Sequence, residues 1–520
     1  MAGDTLSSDS LEWALTHISK FGDTDIFPVP FEFKSIRHGW NRIKSELEKS
    51  DLTTYRARGS RRLLVPKPGG GFRVVTQLDP IDAIIYAAIT YEAAPGIENN
   101  RVPRDRAIAC SYRLDLNPKG QLFASETGWP DYHGHSKHLA DTGLYSHVLL
   151  ADIADFYNQI YSHRVQSALE AANVSPARSS NVERFLLSLT AKQSRGVPVG
   201  PSGSILLAEA VLTDVDNFLL RLGVPFTRFV DDFRIFCTSK RQAVRIHHDL
   251  VEYVYTSHRL ILEPWKTRIV PIQHFIDQEL VDPGEIERSS RVEKIRALLD
   301  QILFESGYSV GEDDLLDRDK DRAVRENLIE LLEECVSKTP LHLGLARYLL
   351  RRATRLRTVA LEETIFKNLA RLDSVFRDVI LYLMVGVPKK IAARRGQEIV
   401  EFLRSSDYGQ IPFLRLWGME LFERRPDMLD PDTTLDLAME FRKDLGTRTS
   451  ALAARAAKKV DWVRGQKEIW ANYSPWDRRA VIYSGSVLPP TERRIWLDMI
   501  AETSDDILEQ AVAKFSKEGS

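Results

Sequence analysis

Two adjacent aspartates, Asp231 and Asp232, lie between two short runs of aromatic and β-branched residues, in the stretch Arg228-Phe-Val-Asp-Asp-Phe-Arg-Ile-Phe236. This pattern predicts a β-hairpin whose tight turn holds both carboxylates. Neighbouring carboxylates repel each other, so such a turn is unfavourable unless a cation, most obviously a divalent metal ion, lies between them. A solvated Asp-Asp turn is the alternative that this stretch alone leaves open.

A third carboxylate, Asp152, ends the apolar run His147-Val-Leu-Leu-Ala151, which is typical of a strand buried on both faces. We expect Asp152 to meet the Asp231–Asp232 turn from a neighbouring strand. Asp155 suits the N-cap of a following helix better than it suits a shared site. The sequence therefore predicts that three aspartates from two segments converge on one point.

Two further segments have the composition of ligand-binding loops. The stretch 194–204 contains Gly196 and Gly200, where the backbone can approach a ligand closely, although a plain interhelical loop is the alternative. Lys67 and Arg73 flank a Pro-Gly-rich turn between two β-prone runs. Such a basic hairpin suits a lid over a triphosphate, unless its charges are only solvated.

The pattern changes from mixed to helical at about residue 285. Beyond it, apolar residues recur at spacings of three and four, in segments that include Val324–Val336, Leu345–Leu356, Leu414–Phe422 and Ala451–Trp470. Helices of this length with short breaks predict an α-solenoid of paired helices, although no clean sequence repeat accompanies them. We therefore divide the chain into a helical segment 1–55, a mixed domain 56–285 and a helical domain 286–520.

The composition indicates the cellular compartment of the protein and the way in which it can bind nucleic acid. A charged fraction of 28% and a net charge of −2 are typical of a soluble globular chain, in which nucleic acid can bind only at local basic patches. No apolar run approaches the ~20 residues that span a membrane, and residues 1–10 lack a signal-peptide core. Three scattered cysteines favour a reducing cytoplasm.

Taken in order, these motifs resemble those of the reverse transcriptase family. The segment Asp152-Ile-Ala-Asp-Phe-Tyr157 resembles the first catalytic motif of that family, and Phe229-Val-Asp-Asp232 resembles its Tyr-x-Asp-Asp motif. Between them, Gly196-Val-Pro-Val-Gly200-Pro-Ser-Gly-Ser204 is similar to the Gly-Leu-Pro-Gln-Gly motif with its later serine. Downstream, the run 260–270 predicts a strand pair that carries Lys266, and within it Leu262-Glu-Pro-Trp-Lys266-Thr267 is similar to the Leu-Asn-x-x-Lys-Thr element. The resemblance covers about residues 55 to 275.

The resemblance implies an α+β fold, the palm and fingers of a right-hand polymerase, followed here by an all-α, HEAT-like helical-repeat domain. It implies that the catalytic residues Asp152, Asp231 and Asp232, with the carbonyl of Ile153, hold two Mg²⁺ ions, or Mn²⁺ in their place. The residues implied to contact the nucleotide are Lys67, Arg73, Tyr157, Gly200 and Lys266, although Lys266 could equally be a surface charge. Tyr157 would lie beneath the sugar and exclude a ribose 2′-OH, which favours dNTPs.

Two features distinguish this chain within the family that it resembles. Val199 and Phe229 stand where the family has a glutamine and a tyrosine, and the first change removes a hydrogen-bonding group near the template. The long helical C-terminal region is similar to that of bacterial abortive-infection and other defence-associated reverse transcriptases. That group implies DNA synthesis in the cytoplasm during phage infection, either untemplated from a protein tyrosine or on a partner non-coding RNA, often by homo-oligomers. A catalytically silent nucleic-acid-binding scaffold and a retroelement polymerase are the alternatives.

Overall fold

The computed structural model describes residues 4–67, 70–124, 128–190, 193–280, 318–337, 339, 341 and 343–518. The chain divides into two compact units. The first unit consists of Met1–Asp25, Trp40–Arg61 and Thr76–Pro283, and the second of Ile26–Gly39, Arg62–Val75 and Gly284–Ser520. The division into three consecutive segments therefore stays a prediction, because two short N-terminal segments group with the C-terminal half.

The first unit is built around a four-stranded antiparallel sheet. Its strands, in their order across the sheet, are β4 (Phe226–Phe229), β5 (Asp232–Cys237), β3 (His147–Asp152) and β6 (Arg268–Pro271). The predicted buried strand before Asp152 and the predicted hairpin at Asp231 and Asp232 are both confirmed. The central pair β3–β5 is largely buried because eight of its twelve residues are apolar and lie on both faces, so that both faces can pack against other elements.

Helices enclose this sheet. Val148 of β3, Phe236 of β5 and Val270 of β6 form one apolar cluster with Ala140 and Phe275 from the flanking helices. The helices of the first unit are Ser8–Phe21, Trp40–Lys49, Pro80–Asn100, Trp129–Asp141, Phe156–Gln159, Ser162–Ala171, Pro176–Leu189, Ser202–Arg221, Lys240–His258, Ile272–His274 and the π-helical Phe275–Glu279. The structure is thus of mixed helix and strand content and mostly helical.

The second unit contains most of the hairpin formed by β1 (Arg61–Pro66) and β2 (Phe72–Gln77), followed by helices. Beyond residue 318 the described part of the chain contains helices and no strand, so the predicted helical character there is confirmed. The helices are Glu32–His38, Arg318–Ser337, Leu343–Arg355, Glu362–Lys367, Phe376–Gly386, Lys389–Ser405, Pro412–Arg424, Pro431–Glu440, Arg442–Ala456, Val460–Lys467, Pro475–Ser484, Pro490–Thr503 and Ile507–Lys517. The start of the predicted helical domain, 286–317, lies outside the described residues, and a HEAT-like repeat stays a prediction.

A buried ion cluster joins the N-terminal part of the second unit to its C-terminal helices. Glu32 is completely buried and accepts two hydrogen bonds of 2.7 Å from Arg448 and one of 3.1 Å from Arg479. Arg448 follows Gly446, whose φ of +74° interrupts the helix Arg442–Ala456. Asp477 then accepts the Arg448 backbone N–H at 2.7 Å. The Arg448 N–H, which is close to the kink, is therefore paired with Asp477. The side chain of this same residue binds Glu32.

Within the described residues, every helix is too short or too polar to cross a bilayer.

Candidate active site

The register of the sheet brings the predicted catalytic aspartates together. Asp152, the last residue of β3, is the cross-strand partner of Asp232, the first residue of β5. Asp231 lies in the turn that joins β4 to β5, after Val230, whose φ of +54° is uncommon for a β-branched residue. The three carboxylates therefore meet at one end of the central strand pair, as the sequence predicts.

The carboxylates at this end repel one another. Asp232 is exposed at the start of β5, but desolvation of its carboxyl group by the surrounding protein raises its pKa to about 7. The negative charges of Asp231 and Asp152 add to this effect, while Lys266 opposes it. Lys266 donates a 2.7 Å hydrogen bond from Nζ to Oδ2 of Asp152. Burial lowers the pKa of Lys266, but the three aspartates outweigh burial and raise it, so the ammonium stays charged. One ammonium against three carboxylates leaves the cluster short of positive charge.

This donor set fits a divalent metal ion. Mg²⁺ prefers carboxylate oxygens, and a dication would relieve the repulsion that raises the pKa of Asp232. The predicted ligand Ile153 is buried and forms an isolated antiparallel bridge with Leu262. Its carbonyl as a metal ligand stays a prediction, as do the roles of Asp152, Asp231 and Asp232 as ligands.

Lys266 reaches Asp152 from a turn that is attached to the catalytic strand. The sequence predicts a strand pair over 260–270 that carries Lys266. Its second half forms β6, but its first half forms only a single bridge and does not pair with β6. Leu262 instead bridges to Ile153, β6 pairs with β3, and Lys266 lies in the turn between them. The backbone N–H of Glu263 also binds the Asp152 carbonyl at 2.7 Å. Lys266 is therefore fixed beside the carboxylates and is not an unattached surface charge.

The predicted sugar-contacting residue, Tyr157, lies in the short helix Phe156–Gln159 that follows β3. It is half-buried, its ring centroid lies 5.5 Å from that of Phe156, and its carbonyl accepts a 2.9 Å hydrogen bond from the Val197 backbone N–H. This bond ties the first motif to the glycine loop. Asp155 occupies the N-cap position of this helix, as predicted, but makes no side-chain cap hydrogen bond. Its carboxylate accepts from the amides of Asn158 and Gln159 instead.

Gly200 is required by contacts with the protein itself. Its φ is +135°, and an added Cβ would lie 2.7 Å from the Thr24 hydroxyl and 3.1 Å from the Thr76 carbonyl. The neighbouring Val199 carbonyl accepts a 2.9 Å hydrogen bond from the Thr76 backbone N–H. The sequence predicts backbone approach to a ligand here, whereas the observed close approach is to these threonines. A contact between Gly200 and the nucleotide stays a prediction.

Lys67 and Arg73 lie on the predicted basic hairpin, which is confirmed as β1 and β2. The Lys67 N–H donates to the Gly71 carbonyl at 2.7 Å, and both basic side chains are exposed. The tip residues Pro68 and Gly69 lie outside the described part of the chain. The hairpin belongs mainly to the second unit, and its grip on a triphosphate stays a prediction.

A buried ionic network next to the aspartate turn was not predicted from the sequence. Arg228, which starts the motif, is completely buried and binds Glu209 and Asp216 on the helix Ser202–Arg221. One signal for it was present, because these two acids are seven residues apart in a largely apolar stretch and so share a helix face.

Comparison with known proteins agrees with the motifs. Residues 65–291, less than half of the chain, match the family model described as reverse transcriptase (RNA-dependent DNA polymerase). No curated protein shows a significant match. Solved structures with similarity include telomerase from Candida albicans in complex with a TWJ fragment of telomeric RNA, at 13% identity and a TM-score of 0.31, covering 74% of this chain and 70% of that one. Apo telomerase from Candida tropicalis has 10% identity and a TM-score of 0.30, with 92% and 74% covered.

The match and the motif order define the class of protein, which is a nucleotidyltransferase. More particularly, residues 65–291 match the domain described as reverse transcriptase (RNA-dependent DNA polymerase). A non-enzymatic scaffold is therefore the weaker alternative.

Replacing Lys266 by alanine should tighten metal binding while slowing nucleotide incorporation. The ammonium bound to Asp152 and an incoming dication compete for the same carboxylate oxygens, so its removal should lower the metal concentration for half-saturation by about tenfold. Titration with Mn²⁺, followed by electron paramagnetic resonance without nucleotide, measures this directly. Lys266→Arg keeps the charge and should bind Mn²⁺ like the wild type. Equal affinity in the alanine variant would show that Lys266 does not compete with the metal.

Proposed function

We propose that this protein is a Mg²⁺-dependent DNA polymerase of a bacterial anti-phage system of the abortive-infection type, which polymerises dNTPs under weak or absent template control, primed by a protein tyrosine. The observation that supports polymerisation best is the cluster of Asp152, Asp231 and Asp232 with Lys266 at the end of β3 and β5. The long helical region after the reverse transcriptase domain supports the defence-associated subtype. Within it, the helices Leu343–Arg355, Phe376–Gly386, Pro412–Arg424, Arg442–Ala456, Pro475–Ser484 and Ile507–Lys517 pack each on the next, as in stacked repeats.

In this proposal the three aspartates hold the metal ions, which when bound activate the attacking hydroxyl and neutralise charge on the leaving pyrophosphate. Lys266 has a role of its own. Its ammonium is charged, bound to Asp152 and still 62% exposed, so it can also pair with a phosphate group of the nucleotide or with the pyrophosphate at this end of the sheet. Tyr157, held by Val197, borders the sugar of the incoming nucleotide.

Val199 is the residue that supports weak template control. Its backbone is fixed by the hydrogen bond from Thr76, so the half-buried side chain occupies a defined place in the glycine loop. An apolar side chain there cannot hydrogen-bond to a template strand or base pair, and base selection should be less constrained. Bond formation does not depend on this contact and should survive.

The test is synthesis without added nucleic acid. The full chain is incubated with Mg²⁺ and labelled dNTPs, denatured and run on a gel, with Asp231→Asn as the inactive control. We expect label that co-migrates with the protein and is released by protease. Strict dependence on an added primer and template, with a complementary product, would instead establish ordinary templated synthesis.

RNA-templated synthesis on a dedicated non-coding RNA is the second candidate, because the matching family model describes an RNA-dependent DNA polymerase. Sequencing the nucleic acid that co-purifies with the protein separates the two candidates. A single defined RNA would favour the templated one, and DNA covalently attached to a tyrosine would favour the protein-primed one. Light scattering on the same material tests the proposed homo-oligomer.

Replacing Tyr157 by alanine should increase the use of ribonucleotides relative to deoxyribonucleotides, by about 10- to 100-fold. Removal of the ring opens space where a 2′-OH would otherwise clash, while the carbonyl that binds Val197 is kept. Incorporation of labelled rNTP and dNTP by each variant gives the ratio. Phe156→Leu, a change to the buried neighbour of Tyr157, serves as the control for packing. An unchanged ratio in Tyr157→Ala would make Tyr157 a packing residue only.

A further inference from the structure

The residue before the aspartate pair, Val230, is held in place by side chains on both of its backbone polar groups. Its N–H donates to the Ser111 hydroxyl at 2.9 Å, and its carbonyl accepts from the Arg228 guanidinium at 2.9 Å. A left-handed conformation is unfavourable for a β-branched residue and persists only where its surroundings impose it. The direction in which Asp231 leaves the turn therefore depends on Ser111 and Arg228.

Ser111 and Arg228, which bind the backbone of Val230, also both bind one buried carboxylate, Glu209. The Ser111 hydroxyl donates to Oε1 of Glu209 at 2.5 Å, and the Arg228 Nη2 donates to Oε2 at 3.0 Å. Arg101 Nη2 also binds Oε2, at 2.8 Å, and the Ser111 carbonyl at 2.7 Å. A serine hydroxyl has one hydrogen, and Glu209 takes it, so the Ser111 oxygen can only accept the Val230 N–H.

The core of the network is buried. Asp216 binds the remaining side of Arg228 through two hydrogen bonds of 2.7 and 2.6 Å. Two arginines thus bind two buried acids, and the side chains of all four residues and of Ser111 are buried. Arg101 also donates a 3.2 Å hydrogen bond to the partly exposed Glu98. Burial raises the pKa of Glu209, but the charges of Arg101 and Arg228 outweigh it and lower that pKa, so Glu209 is ionised and acts as an acceptor. None of these residues belongs to the proposed metal ligands.

We propose that Ser111 and Glu209 are positioning residues of the polymerase, in which Glu209 orients the Ser111 hydroxyl and the hydroxyl fixes Val230, so that Asp231 and Asp232 are held ready for the metal. This inference rests on the proposed catalytic role of the two aspartates. If Glu209 only stabilised the fold by pairing with the two arginines, its link to the turn through the Ser111 hydroxyl would not be needed. The relay gives the turn a fixed geometry before any ion arrives, and a displacement of about 1 Å at such a site can cost about 100-fold in rate.

The test is Ser111→Ala in the full chain, compared with Ser136→Ala. Ser136 is equally buried and bonds to Tyr132 and Thr227 in the same region, but it does not touch the turn. We expect Ser111→Ala to lower kcat about 10- to 100-fold, to leave the KM for dNTP within about twofold, and to raise the Mg²⁺ concentration for half-maximal rate several-fold. Ser136→Ala should lower the melting temperature similarly while leaving kcat and the Mg²⁺ requirement unchanged.

Hydrogen–deuterium exchange of the peptide containing Val230 tests the relay without any activity. We expect faster exchange of the Val230 amide in Ser111→Ala and wild-type protection in Ser136→Ala. Protection and wild-type kcat together in Ser111→Ala would overturn the inference. An inactive wild-type protein would refute the proposed function instead, while the exchange result would still show whether Ser111 fixes the turn.

Discussion

Replacing Asp231 by asparagine should abolish nucleotide incorporation, lowering it by at least about 10³-fold, and should leave the protein folded. The change removes one carboxylate from the cluster that we propose to hold the metal ions by its negative charge. It also removes a negative charge that raises the pKa of Asp232, so the substitution relieves repulsion within the folded protein. We therefore expect a melting temperature equal to or above that of the wild type, which separates lost chemistry from lost structure.

The measurements are incorporation of labelled dNTP and thermal unfolding by circular dichroism. Asp214→Asn is the matched control, because Asp214 is another carboxylate of the first unit that accepts hydrogen bonds from Tyr253 and His258, at 2.9 and 3.0 Å. An asparagine oxygen can still accept these bonds, and activity should be unchanged. Wild-type activity in Asp231→Asn would remove Asp231 from the proposed active site. Loss of folding would make that variant uninformative about chemistry, and Asp152→Asn would then be the variant to assay.

Replacing Glu32 by alanine should destabilise the second unit by about 3–5 kcal/mol, because two buried arginines would lose their shared counter-charge. For a unit of this size, such a loss corresponds to a fall in melting temperature of about 10 °C. Glu440→Ala is the control. Glu440 forms a bidentate pair with Arg404 in the same unit, but both side chains are 45% exposed, and the loss should stay below about 1 kcal/mol. Equal losses in both variants would show that burial does not strengthen the Glu32 cluster.

The same carboxylate predicts a dependence on pH. Burial alone would raise the pKa of Glu32, but Arg448 and Arg479 outweigh it and lower the pKa from 4.5 to about 2. A carboxylate with a lowered pKa stabilises the fold above its unfolded pKa, and this contribution disappears as the pH falls from about 4.5 toward 2. The difference in stability between wild type and Glu32→Ala should therefore be constant near neutral pH and should shrink across that acidic range.

The centre of the site was predictable because its signals are local. A buried strand that ends in Asp152 and a hairpin that contains Asp231 and Asp232 are both properties of a few consecutive residues, and strand pairing then brings the carboxylates together. The residues that position the aspartates were not predictable in this way. Glu209 meets Ser111 across 98 positions and Lys266 meets Asp152 across 114, and no local pattern specifies such partners.

Local sequence also does not show which groups a residue contacts or which strand a segment pairs with. Gly200 is predictable as a residue that allows close approach, but only the fold shows that Thr24 and Thr76 are what it approaches. Lys266 is predictable from its motif, but the apolar β-prone run around it does not reveal which neighbour it pairs with. Its actual partner is the strand that carries Asp152.

The pairing of Glu32 with Arg448 and Arg479 also has a consequence for synthesis on the ribosome. The helix that contains Glu32 emerges early, and its partners follow 416 and 447 positions later. At ~5–20 residues per second, Glu32 waits roughly 20–80 s for Arg448 to be made. During that time its carboxylate has to remain hydrated, and the second unit cannot close around it. The second unit is therefore completed late during synthesis. A chain interrupted before Arg448 would expose the helix Glu32–His38 to proteases and chaperones.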